Sequence, residues 1–471
     1  MKWFHLTGLM LMILCLSLLG TALAEDLPIP RFRDVSVHDP SVIRAGDGTF
    51  YIYGSHMAAA KSTDLISWDM ISRDAKAGCT LFTNVQEELQ ESLRYAQTDT
   101  FWAPDVQQLD DGRYYLYYCT CRGDSPLSML GVAVSDSPEG PFENLGTILK
   151  SGYPGYDATR LPNVVDPCVF FDRDHRLWMV YGSYSGGIFI LEMDPATGFP
   201  LEGQVYGKKL LGKNHARIEG PYILYSPETD YYYLFLSFGG LNADDGYNIR
   251  VCRSRNPDGP YEDALGQDML ECGGKPGTFF HDEDYEGYGV KLMGGYCFEN
   301  IPSDTNQFRL AYRSPGHNSA YFDEETGRYF LVFHTRFAAS GETFRVRVHQ
   351  MVMNDAGWPV VLPQRYAGEN VKAPEHMEGL YKVLFHLRDI NKVEHTSVSA
   401  TLNPDGTVSG DVTGTYEVKS DGTFTCTLGG LTYDGIATLC LDSKENAWVP
   451  CFSAMDGTGL CVWGTHAANE D

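Results

Sequence analysis

The chain has 471 residues and a formal net charge of −26 at pH 7, with 36 Lys+Arg against 62 Asp+Glu. That length exceeds one ordinary domain and leaves room for a large core plus a second module. The acidity argues against a polyanion such as nucleic acid as the natural partner and leaves a neutral ligand, such as a sugar, open.

Residues 1–24 read as a secretory signal. Lys2 gives a positive start, Leu6 to Leu19 is mostly apolar, and Ala22-Leu23-Ala24 places small residues before a cut expected after Ala24. An uncleaved anchor is the competing reading, but the apolar run is short and Glu25-Asp26 follow closely, so no membrane partner is expected. Met12-Ile13-Leu14 lack the small residue of a lipoprotein site before Cys15. The expected location is secreted, extracellular or periplasmic. Without Cys15 the 12 cysteines become an odd number, no C-x-x-C pair occurs, and few or no essential disulfides are expected. Cys119-Thr120-Cys121 reads as two buried small residues on one face of a strand.

Five segments then repeat one plan: a polar start, an apolar strand, a tight turn and an aromatic-rich strand. They are HDPSVIRAGDGTFYIYGS from His38, APDVQQLDDGRYYLYYC from Ala103, VDPCVFFDRDHRLWMVYGS from Val165, EGPYILYSPETDYYYLFLS from Glu219 and GHNSAYFDEETGRYFLVFH from Gly316. Turns are expected at Asp47-Gly48, Asp111-Gly112, Asp174-His175, Glu228 to Asp230 and Glu325 to Gly327. A third strand follows most hairpins. SDSPEGPF from Ser135 and SRNPDGPY from Ser254 share a signature there.

Repeated antiparallel sheets without helical periodicity predict an all-β fold, a five-bladed β-propeller over residues 25–365. A two-sheet sandwich is the plainer alternative, but it does not explain the polar residue at each segment start. Residues 76–98 are expected as an insertion with a short helix at Val85 to Tyr95, and residues 262–312 as loops over one face. Residues 374–471 change texture to short strands with polar turns and predict a small C-terminal β-barrel-like domain.

The innermost strand of each propeller blade starts at one mouth of the central channel. The repeat therefore predicts that Asp39, Asp105, Asp166, Glu219 and His317 converge there. Several carboxylates gathered in a channel are unfavourable unless a function uses them. Acetal hydrolysis uses such a set: one carboxylate activates water, a second donates a proton to the leaving oxygen, and inverting pairs stand about 6.5–9.5 Å apart. A third carboxylate raises the pKa of the acid. No organic cofactor is needed.

These residues carry a resemblance. The runs HDPSVI at Asp39, FWAPDV around Trp102, NVVDPCVFF at Asp166, GSYSGGIF from Gly182, RIEGPYILY at Glu219, PGHNSAYF at His317 and RVHQMVMNDAGWPVV cover the propeller in order. The chain resembles family 43 glycoside hydrolases, and among them the extracellular two-domain endo-α-1,5-L-arabinanases. The resemblance implies that Asp39 is the general base, Glu219 the general acid, and Asp166 the group that tunes and orients the acid, with inversion at the anomeric carbon. It implies a calcium ion near His317, held by that one side chain and waters; one imidazole is atypical for calcium.

It also favours Trp102 as a sugar platform, although an indole there can equally pack between blades. Asn163 and Ser183 are candidate partners for sugar hydroxyls, against an equal reading as turn and strand-end residues. Thr120-Cys121-Arg122-Gly123-Asp124 departs from the Ser-rich segment expected of the family and puts subsite detail in doubt. In the C-terminal domain, Trp448 or Trp463 could bind sugar, or the domain could simply stabilise.

The implied substrate is arabinan, the linear side chain of plant cell-wall pectin, and the chain is expected to act as a monomer. The rival is an exo-acting α-L-arabinofuranosidase or β-xylosidase with the same three acids. A non-catalytic glycan-binding propeller is a reading of another class, and a metal-dependent phosphoesterase a weaker one still.

Overall fold

The computed structural model describes residues 27–467. Four four-stranded antiparallel sheets and a fifth sheet of six strands follow one another in the chain, and a closed eight-stranded barrel follows them. The sixth strand of the fifth sheet, His395–Thr396, comes from the barrel's stretch of chain and pairs in parallel with Tyr296–Cys297. The innermost strands are Ser41–Arg44, Trp102–Gln108, Cys168–Phe171, Ile218–Ser226 and Ala311–Asp323. Each touches the next, and the fifth touches the first, so the sheets close as a five-bladed propeller.

The expected hairpin turns form, and each contains one residue in the left-handed region: Gly48, Gly112, His175, Asp230 and Gly327. A tight turn between twisted strands requires that conformation, which explains the Gly and Asp enrichment. Blades are held by apolar cores between neighbours. Tyr53 and Tyr118 lie between blades one and two, Tyr117 and Tyr181 between two and three, Ile190 and Leu234 between three and four. Ile52 and Val332 close the ring between blades one and five. Burying each such side chain contributes about 1.5–3 kcal/mol.

The insertion after blade one contains two short helices, Val85–Glu88 and Gln90–Ala96. The segment 262–312 is more than loops. It supplies the outermost strand of blade four, Val290–Met293, after a long excursion from Ser254. The fifth blade ends at Val361 and the barrel begins at Gly379, so the boundaries read at 365 and 374 fall within the connection. The barrel closes by pairing Gly379–His386 with Cys461–His466.

Trp463 does not face solvent and cannot be a sugar platform. Its ring is fully buried in one apolar cluster that also contains Tyr296, Tyr312 and Trp358 of the propeller. Trp448 donates its indole N–H to the carbonyl of Leu27. All cysteines among the described residues are free, and all but Cys79 are buried. The signal segment lies outside the described residues.

Candidate active site

Asp39 and Asp166 lie two residues before the inner strands of blades one and three, Glu219 is the second residue of that of blade four, and His317 lies midway along that of blade five, beside its bulges. Asp39, Asp166 and His317 all adopt positive φ, of 57°, 55° and 45°. For a side chain with a Cβ this conformation costs energy, and such strain concentrates at functional sites. All three acids are buried, with relative exposures of 8%, 4% and 7% for Asp39, Asp166 and Glu219.

Asp39 sits in a cradle of histidines. His38 Nδ1 lies 2.8 Å and His317 Nδ1 3.1 Å from its Oδ1, and Ser55 donates to Oδ2. The backbone N–H of Asp39 donates to His334 Nδ1 at 3.2 Å, and the His334 ring stacks on His38 with centroids 3.9 Å apart. Burial alone would raise the Asp39 pKa, but His317, then His38, then His334 overrule it and hold the carboxyl well below its usual range. Asp39 is therefore ionised at neutral pH, as a base must be.

Glu219 behaves in the opposite way. Burial pushes its pKa up to about 7, against the hydrogen bonds from Tyr247 and Ser183, and the charge of Asp39 pushes in the same upward direction as burial. Tyr247 Oη donates to Oε1 at 2.8 Å and Ser183 Oγ to Oε2 at 2.9 Å. Asp166 is also raised, by burial first and then by Glu219 and Asp39. Two such neighbours cannot both ionise freely, so the pair retains a proton at neutral pH. Asp166 accepts from the backbone N–H of Gly220 at 3.2 Å and so fixes the chain next to Glu219.

Two glycines make these approaches possible. A Cβ on Gly220, whose φ is 59°, would meet the His317 ring at 3.1 Å; one on Gly316 would lie 2.1 Å from Tyr247 Cδ1.

Ser183 donates to the acid itself, a contact that the sequence reading did not include. Asn163 is buried, and its side-chain carbonyl accepts from Ser128 Oγ at 2.5 Å, which turns it toward blade two. Trp102 is half-buried at the start of blade two, with Gly123 beside its ring. Asp105 does not join the other acids. It accepts from Ser41 Oγ and from the Val169 N–H, and so ties three blades together. Tyr247, His38 and His334 were missed as site residues, although His38 and His334 stand at the ends of repeat segments.

Below the acids lies a small cavity of about 20 Å³, lined by Asp39, Asp166, His317, Asn318 and four prolines. That is room for one or two water-sized groups. Both polar atoms of the buried Asn318 amide lack a partner there. Carboxylates, an orphaned amide and one imidazole suit an oxygen-seeking cation with waters, so the residues fit calcium. His38, Asp39 and His334 also cluster closely enough to hold a metal, but their donor atoms already bond one another. The larger cavity, about 700 Å³, opens at the far mouth among Val42, Phe171, Tyr225 and Phe322, away from this chemistry.

An ionised carboxylate and a proton-bearing carboxyl pair, buried at one mouth of a propeller, define a site for acid–base hydrolysis of an acetal. Residues 32–282 match the family described as glycosyl hydrolases family 43, and residues 363–464 match its C-terminal lipocalin-like domain. The chain is 53% identical to the extracellular endo-alpha-(1->5)-L-arabinanase 2 of Bacillus subtilis, over 98% of this chain and 99% of that protein. It is 46% identical to the extracellular endo-alpha-(1->5)-L-arabinanase of Thermotoga petrophila, over 97% and 98% of the two chains. The crystal structure of the family 43 glycoside hydrolase YxiA from Bacillus licheniformis superposes with a TM-score of 0.89 at 53% identity, covering 93% of this chain and 99% of that one. The chain belongs to glycosyl hydrolase family 43.

Proposed function

We propose that the protein is a secreted, inverting endo-hydrolase of the α-1,5-L-arabinofuranosidic bonds of linear arabinan. The observation that carries this reading is the opposed state of two buried acids at one channel mouth: Asp39 held ionised by histidines, Glu219 kept proton-bearing by burial. End-to-end similarity to two extracellular endo-arabinanases supports the substrate and the location. An exo-acting relative from Cellvibrio japonicus is only 28% identical.

Asp39 takes a proton from a water that attacks the anomeric carbon. Glu219 gives its proton to the departing glycosidic oxygen, and the carbon–oxygen bond breaks as the new one forms. The product is inverted because water enters opposite the leaving group. Asp166 shares its charge with Glu219 and anchors Gly220, so it both tunes and aims the acid. Calcium would be held by His317 through the ring nitrogen not facing Asp39, with Asn318 and waters. Its charge, when bound, favours the ionised form of Asp39. The ligand is a neutral polysaccharide, which a chain with a net charge of −26 does not repel as it would a polyanion.

Digestion of debranched arabinan and of xylan, with products sized over time, tests the reading. A rapid fall in arabinan viscosity with oligosaccharides first is expected; arabinose alone from the outset would make the enzyme exo-acting. Glu219→Gln should lower kcat by about a thousandfold or more with the fold intact. Activity of the native enzyme should decline as pH rises through about 7, where Glu219 loses its proton, and persist far into the acid range because Asp39 stays ionised there.

A further inference from the structure

Ser183, Tyr184 and Ser185 form a tripeptide with two faces of use. Ser183 bonds the acid Glu219 at 2.9 Å, while Ser185 Oγ lies 3.1 Å from His215 Nδ1. Two residues of chain span at most about 7 Å, and the two serine side chains with their hydrogen bonds extend that by roughly 5 Å at each end, so His215 stands within a few sugar units of the acid. Between them the Tyr184 ring meets Phe280 edge-on at 5.2 Å. Phe280 touches Phe279 at 4.2 Å, and Phe279 touches His215 at 4.8 Å. Phe279 is 64% exposed, an unusual position for a ring that its neighbours could have covered.

The backbone is forced into this arrangement. Tyr184, Asn214 and Phe280 all have positive φ, of 56°, 54° and 56°. Asn214 donates to the carbonyl of Gly274 at 2.7 Å and Phe280 donates to that of His215 at 3.1 Å, which locks the two rim loops together. The nearby charges are paired: Lys213 with Glu271, Lys275 with Asp284, Arg217 with Asp282. The cluster therefore offers ring faces whose neighbouring cations are neutralised, which suits a neutral sugar better than an anionic ligand.

We propose that Phe279, backed by Phe280 and His215, is a stacking platform for the arabinofuranose units on the leaving-group side of the scissile bond. The side follows from the chemistry. In an inverting site the base lies opposite the departing group and the acid lies beside it, so chain that continues outward past Glu219, away from Asp39, is the leaving portion. A platform beyond the cut gives hold on the chain on both sides of the bond, which endo action requires. The proposal rests on the arabinanase reading above and assigns specificity-determining residues within it.

The test uses the full chain and its Phe279→Ala and Phe279→Trp variants on end-labelled linear arabino-oligosaccharides of increasing length. Bond-cleavage frequencies and kcat/KM are measured together with melting temperature. Phe279→Ala should shift cleavage away from bonds that place sugars on the platform and lower kcat/KM about fivefold on long chains, mostly through KM, with short oligosaccharides unaffected. Phe279→Trp should restore the native pattern. Unchanged cleavage frequencies in Phe279→Ala, or an equal loss at every chain length, would overturn the platform while leaving the arabinanase reading in place. Failure of the native enzyme to cut any arabino-oligosaccharide would instead overturn the arabinanase reading, and the platform with it.

Discussion

Asp105 occupies the same place in the repeat as Asp39, Asp166 and Glu219, yet its surroundings give it a different task. It accepts from Ser41 Oγ and, at 2.6 Å, from the Val169 N–H, so one carboxylate joins the inner strands of blades one, two and three. Burial pushes its pKa up to about 6, above the 3.8 of a free aspartate. The folded state thus holds this proton more tightly than the unfolded state does. Its stabilising contribution is complete below about pH 4 and is lost as pH rises through 6, at a cost of about 3 kcal/mol by neutral pH. Asn in its place can accept from Val169 through Oδ1 and donate to Ser41 through Nδ2, with no charge to bury. Asp105→Asn should therefore raise the melting temperature at pH 7, change it little at pH 4, and keep arabinan hydrolysis. A variant that folds but loses hydrolysis would put Asp105 into the chemistry after all.

At the scale of the strand, the site is built by bends rather than by regular pairing. The inner strand of blade four shifts register between Glu219 and Tyr222, and that of blade five on both sides of Gly316. Such bulges re-aim side chains into a channel. Gly316 is a point of close approach, because Tyr247 lies where its Cβ would be. Gly316→Ala should displace that ring, break its bond to Glu219 and lower kcat about tenfold, with KM nearly unchanged. Tyr247→Phe should reproduce the loss without the steric change; full activity in Tyr247→Phe would remove the hydrogen bond from the mechanism.

This level also marks what the sequence reveals. Five blades were legible because each hairpin needs one residue at positive φ, and Gly or Asp marks it in four of them, with His175 taking that place in blade three. The acids were legible because the repeat places them at equivalent starts. The outer strand of blade four was not, since four residues after a long excursion carry no pattern. Tyr247 was hidden among 29 tyrosines; only the glycine beside His317 hinted that something bulky lies against it. The bond from Ser183 to Glu219 was not legible, because a buried hydroxyl bonded to an acid looks the same in sequence as one facing substrate or one ending a strand.

At the scale of the molecule, propeller and barrel share a core and a buried ion cluster. Trp463 of the barrel packs edge-on against Tyr296 of the propeller at 5.1 Å and against His386 at 4.2 Å. Nearby, Lys382 of the barrel reaches both oxygens of Asp304 at 2.7 Å, and Lys444 reaches Asp304 at 2.9 Å. The three side chains are almost fully buried, at 4%, 8% and 1% exposure for Lys382, Lys444 and Asp304. Glu445, 1% exposed and 3.8 Å from Lys444, completes the cluster, and two ammonium groups and two carboxylates removed from water are tolerable only while the pairing holds. Asp304→Ala would leave two buried lysines with less compensation, at a cost of about 3–5 kcal/mol. Because the ions straddle the two domains next to a common apolar core, that loss should lower one shared unfolding transition and not only that of the barrel. Calorimetry of the full chain should show a single transition that moves down as a unit in the variant. Two separate transitions, with only the smaller one displaced, would mean that the barrel is an independent module and that its contacts with the propeller do not carry the stability of the whole.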